Sequence, residues 1–63
     1  MCEAKAVVVE EEREEVVMVD VILLYFKEGK PVLRSLHGEE MVFEDYEIES
    51  IDFMHHVIYL KLR

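Results

Sequence analysis

Fourteen of the 63 residues are Val or Ile, and they arrive in short runs broken by charged blocks and glycine-containing pairs. β-Branched side chains lose χ1 freedom in a helix and pack well on a pleated surface. A chain patterned this way is predicted to be all-β, with five strands. The first runs from Cys2 to about Glu10, with Ala4, Ala6 and Val8 on one face and Val7 and Val9 on the other. The block from Glu10 to Glu15 reads as a solvated hairpin connection, because crowded like charges repel. A short helix is the competing reading there, since Glu and Arg are good helix formers. The second strand, Val16 to Lys27, is interrupted by Asp20, which predicts a bulge or bend. Glu28-Gly29 makes the next turn, with glycine supplying positive φ. Pro31 then sits at the start of a strand, where a missing N–H does least harm.

The third strand is Val32 to Leu36, followed by a turn at His37-Gly38. The fourth runs from Met41 to about Phe53. Its apolar positions lose period-2 register between Ile48 and Ile51, and one extra residue near Ser50 restores it. His55-His56 is the last turn, and Val57 to Leu62 alternates with Ile58, Leu60 and Leu62 on one face. Five short strands joined by tight turns point to a bent sheet closing on itself, a small SH3-like or Sm-like barrel. Residues 1–63 read as one domain with no linker and no repeat.

So short a chain buries only about 60% of the surface its unfolded form exposes. Domains of this size draw on disulfides, metals or partner chains. With one cysteine an intrachain disulfide is impossible, which leaves a metal and oligomerisation. A hydrophobic content of 52% is more than a small monomer hides easily and points to a buried interface. The net charge of −8 disfavours nucleic acid, whose binding depends on Lys and Arg neutralising phosphates. It also disfavours anionic membrane surfaces, and it suits cations. The longest uncharged apolar run, Val21 to Phe26, is far short of a membrane span. A lone thiol with no export signal fits the reducing cytoplasm.

Catalysis finds little support. Ser35 and Ser50 are the only hydroxyl nucleophiles besides tyrosine, and neither lies in a nucleophile elbow. The two glycines stand apart, so no phosphate-cradling loop exists. The carboxylates lie in runs on predicted turns, where water surrounds them. The expectation is a protein that is not an enzyme.

Cys2 is the residue with chemistry. With Met1 retained, the Met1 amine, the Cys2 amide nitrogen and the Cys2 thiolate close two fused five-membered chelate rings. With Met1 removed, the Cys2 amine and sulfur form one ring and the Glu3 amide closes a second. Either set puts nitrogen and sulfur donors in a plane, which favours Ni(II) or Cu over tetrahedral Zn. One chain supplies too few ligands to close the site; two chains meeting at their N-termini supply two nitrogens and two sulfurs. The bland alternative is a small buried hydrophobe, the usual fate of a free cysteine, but chain termini are poor places for core packing. His37 and the pair His55-His56 are weaker candidates, more simply read as solvated turn residues. The glutamate block lacks the ligand spacing and turn glycine of a calcium loop. Of Met1, Met18, Met41 and Met54, at least three read as core filler.

The opening Met1-Cys2-Glu3-Ala4-Lys5-Ala6-Val7 resembles that of the CooT family of small nickel-binding proteins, earlier labelled RNA-binding. The resemblance continues through Val19-Asp20-Val21, Leu36-His37-Gly38-Glu39-Glu40 and Ile51-Asp52-Phe53-Met54-His55-His56-Val57-Ile58, and so covers nearly the whole chain. The chain departs from the family at His37, where an aromatic residue is common, and in its acidic first hairpin. The resemblance implies an SH3-like barrel, a homodimer, and one Ni(II) held between two chains by the cysteine after the initiator methionine, Cys2 here. It also implies a role in nickel trafficking or in the maturation of a nickel enzyme of the carbon monoxide dehydrogenase type. An RNA-binding Sm-like module is the alternative from another class. It would need a groove built from Lys5, Lys27, Lys30, Arg34, Lys61 and Arg63 with Tyr25 or Phe26. A structural subunit without a ligand is the third reading.

Overall fold

The computed structural model describes residues 3–63; Met1 and Cys2 lie outside the described residues. Six strands follow in order: β1 (Ala4–Glu10), β2 (Arg13–Lys27), β3 (Lys30–Ser35), β4 (Glu40–Val42), β5 (Tyr46–Asp52) and β6 (Val57–Leu62). They form one sheet in the order β4-β3-β2-β1-β6-β5. Every neighbouring pair is antiparallel except β1 and β6, which run parallel with Lys5 opposite Val57 and Val8 opposite Leu60.

The expected count of five strands is corrected to six, because the segment from Met41 to Phe53 divides at Phe43-Glu44-Asp45. Phe43 turns into the core, 7% exposed, and its N–H donates to the Pro31 carbonyl at 2.9 Å. Its ring meets Tyr46 edge-on at 6.1 Å. The halves on either side then join opposite edges of the sheet: β4 pairs with β3, and β5 pairs with β6. That connection forces the sheet to curl. In a flat six-stranded sheet the edge strands lie about 24 Å apart, five spacings of about 4.8 Å. A three-residue link reaches at most about 14 Å between its flanking Cα atoms. The sheet therefore bends until its edges adjoin, and the class is all-β and barrel-like.

Local features follow the residues closely. Glu11-Glu12 is a two-residue turn between Glu10 and Arg13, so the charged block is a hairpin and not a helix. Its second half, Arg13 to Glu15, extends β2 by pairing with the end of β1. Glu28 and Gly29 both have positive φ, 55° and 80°, the sign pattern of a type I′ turn, with Lys27 opposite Lys30. Asp20 has φ 56° and sits in the register slip against β1, where Ala4 faces Val21 while Ala6 faces Met18; a second slip, against β3, follows at Ile22, where Val21 faces Ser35 while Leu23 faces Arg34. The bulge near Ser50 is also present, between the Ile48–Leu60 and Ser50–Tyr59 pairs.

The core gathers Ala6, Val8, Met18, Val21, Leu33, Phe43, Ile58 and Leu60, with Leu33 and Leu60 fully enclosed. Ala4 packs against this cluster, on the same face as Ala6 and Val8. Leu62, which alternation puts on one face with Ile58 and Leu60, is 51% exposed at the end of its strand. The methionines also depart from expectation. Met18 is buried, but Met41 lies on the short edge strand β4 and Met54 at a turn tip, and both are exposed.

Ser35 is buried for a structural reason. Its hydroxyl accepts the N–H of His37 and of Glu39, both at 3.2 Å, and its backbone bonds Glu39 and Gly38. One side chain thus holds the β3–β4 turn. Ser35→Ala is expected to leave two N–H groups short of an acceptor and to destabilise the fold by about 1–3 kcal/mol, read as a lower urea midpoint at constant slope. An unchanged midpoint would show that water replaces the hydroxyl without loss.

Candidate metal centre

The N-terminal thiolate expected to bind metal, Cys2 with Met1, lies outside the described residues. What surrounds the start of β1 is described. The Lys5 N–H donates to the His56 carbonyl at 3.0 Å, so β1 enters the sheet beside the β5–β6 turn. Next to it opens an apolar groove of about 450 Å³. Ala4, Val21 and Ile58 line its base and Ile22, Leu23, Ile51 and Phe53 its walls. The last four are 48%, 40%, 38% and 81% exposed, and Met54 beside Phe53 is 86% exposed. These side chains are part of the exposed apolar surface, which also includes Val19, Phe26, Leu36 and Val42 elsewhere on the sheet.

The β5–β6 turn runs over Phe53-Met54-His55-His56, and His56 adopts φ 59° to close it. Asp52 caps it. One carboxylate oxygen, Oδ1, accepts the His55 N–H at 3.0 Å; the other, Oδ2, meets His55 Nδ1 at 2.9 Å. The His55 N–H first, and then the ring, hold the Asp52 carboxyl below the usual carboxylate range. A second carboxylate–imidazole contact joins His37 Nε2 to Asp20 Oδ2 at 3.1 Å, tying the β3–β4 turn to the bulge in β2. The Asp20 carbonyl accepts the Leu36 N–H at 2.7 Å at the same junction. Among the described residues, no three His, Cys, Asp or Glu side chains converge as a ready ligand set.

The pairing of Asp52 with His55 escaped the sequence reading. An Asp three residues before a His at a strand end was its signal, a spacing that suits an Asx-type cap. The apolar groove escaped too, since its two walls are distant in sequence.

Of the six basic residues that an RNA groove would draw on, four are engaged by carboxylates or backbone carbonyls. Lys30 lies 3.8 Å from Glu44, Arg34 3.7 Å from Glu40 and Lys61 3.6 Å from Glu47. Arg63 donates to the backbone carbonyls of Gly29 and Tyr46. Tyr25 donates its hydroxyl to Glu40, which raises its pKa. No helix of the described residues is long and apolar enough to cross a membrane.

The family model described as CO dehydrogenase accessory protein CooT matches residues 1–61. Among solved structures, a crystal structure described as that of CooT from Carboxydothermus hydrogenoformans is similar, with a TM-score of 0.89, 27% sequence identity and 98% of each chain covered. Among curated proteins none matches.

Proposed function

The chain belongs to the CooT family, and from that premise we propose that it binds nickel as an accessory protein for carbon monoxide dehydrogenase. In this reading two copies meet at the apolar grooves beside their N-termini. Each contributes the Cys2 thiolate and a backbone nitrogen, supplied with Met1 present by the Met1 amine or the Cys2 amide, to one Ni(II) carried as cargo to the client enzyme. The protein acts in the cytoplasm, where the thiol stays reduced.

The observation that carries the reading is placement. The family match includes position 2, and the described residues put the start of β1 at the rim of an exposed apolar groove. Covering Ile22, Leu23, Ile51 and Phe53 with a second copy removes apolar surface from water, which is the dominant favourable term in association. The same contact brings two N-termini together, and a planar site with two nitrogens and two sulfurs needs both. The electrostatics agree, since a net charge of −8 draws divalent cations.

The test is anaerobic titration of the reduced, untagged protein with NiCl2, followed by absorption and native mass spectrometry. Sulfur-to-nickel charge-transfer bands that saturate at one nickel per two chains are expected, in a species of dimer mass. Bands saturating at one nickel per monomer would remove the shared site, and no bands at all would remove nickel.

A further inference from the structure

Asp52 does more at the β5–β6 turn than cap it. The cap requires a single oxygen, Oδ1, on the His55 N–H. The second oxygen is directed at the ring, 2.9 Å from Nδ1, although the His55 side chain is 75% exposed and free to rotate into water. A carboxylate facing Nδ1 keeps the proton on that nitrogen, so the lone pair resides on Nε2 at the far side of the ring. Carboxylate–imidazole couples of this kind orient histidines that ligate metals and raise their basicity. His37 shows the opposite arrangement, with Asp20 on Nε2, which leaves the lone pair on Nδ1, the nitrogen nearer the backbone.

Position adds to geometry. The Lys5 N–H is bonded to the His56 carbonyl, and His56 lines the apolar groove. Cys2 precedes Lys5 by three residues, and three extended residues span about 10 Å. The adjacent His56 places a second imidazole on the same loop.

We propose that His55, oriented by Asp52, is a second cation site at the β5–β6 turn, binding Ni(II) or a similar borderline divalent ion through Nε2. This site goes beyond the thiolate reading, because it needs no cysteine. Imidazole suits nickel, copper and zinc, and water fills the remaining positions on Ni(II). With one oriented imidazole per turn, the site binds more weakly than a thiolate centre and exchanges its ion faster. It collects the ion within reach of the N-terminus.

The experiment uses untagged Cys2→Ser protein, titrated with NiCl2 and followed by line broadening of the histidine ring signals in 1H–15N spectra. Ni(II) held by imidazole and water is paramagnetic, whereas Ni(II) in a planar nitrogen–sulfur field is diamagnetic, so broadening reports this turn and not the thiolate centre. Broadening is expected to be strongest at His55 and lost in Cys2→Ser/His55→Gln. Adding Asp52→Asn to Cys2→Ser is expected to weaken affinity by about tenfold or more. The amide oxygen preserves the cap, but the amide NH2 donates to Nδ1 and moves the ring proton to Nε2. Equal broadening of His37, His55 and His56, or unchanged affinity without His55, overturns the proposal. So does a Cys2→Ser protein that takes up no nickel while the unmodified protein does, and that result leaves the thiolate reading standing. His55-dependent uptake by a protein without charge-transfer bands does the reverse: the turn site stands and the thiolate reading falls.

Discussion

Cys2→Ser is expected to abolish the sulfur-to-nickel charge-transfer bands and tight nickel uptake while leaving the sheet folded. Serine oxygen is a hard, poorly ionised donor at neutral pH, whereas thiolate is soft and favours nickel in a planar field. The loss should exceed the ~10–100-fold that follows removal of an outer-shell partner, because a ligand itself disappears from both halves of the shared centre. The fold should persist, since position 2 precedes β1 and every core residue lies between Ala6 and Leu60. Thermal unfolding separates the two effects. An ion that binds only the folded protein stabilises it by about 2.7 kcal/mol at a hundredfold excess over its Kd. Added nickel should therefore raise the melting temperature of the unmodified protein and do much less for the variant. Equal rises in both would show that the cysteine is not the tight ligand.

Leu60→Ala is expected to remove most of the stability of the chain. Leu60 is fully enclosed on β6, facing Val8 across the parallel ladder and Ile48 across the antiparallel one. It thus ties the two ladders that close the curl on this side. A buried Leu→Ala change costs about 2–5 kcal/mol through lost transfer energy and the cavity left behind. A chain of this size has only about 3–9 kcal/mol in all. The urea midpoint of the metal-free protein should fall accordingly, measured at fixed protein concentration because a dimer's stability depends on it. A shift worth less than about 1 kcal/mol would mean that the site collapses around alanine more freely than its enclosure implies.

Fold and candidate site were legible to different depths. The bulge at Asp20 was readable because a charge interrupts an apolar run, and the one near Ser50 because an extra residue breaks period-2 alternation. The turn at Glu28-Gly29 was readable because positive φ selects glycine. The expectation for Cys2 rests on covalent neighbours alone, and it lies outside the described residues. The break at Phe43-Glu44-Asp45 was not, since Phe43 carries strand propensity and turns only because the core beside Pro31 and Tyr46 accepts its ring. Met41 and Met54 misled for a related reason: hydrophobicity marks what can be buried, and a small sheet lacks the volume to bury all of it.

The amino-acid order by itself determined the all-β class, most of the strands, and the turns at Glu28-Gly29 and His37-Gly38. Each of these rests on residues within a few positions of one another. Tertiary structure decided the rest. It set the parallel pairing of β1 with β6, the closure of the sheet through a three-residue link, the apolar groove joining Val21–Leu24 to Ile51–Ile58, and the seating of the Lys5 N–H on the His56 carbonyl. These depend on which sheet edges meet, and that is settled by the summed burial of the whole core rather than by any local pattern.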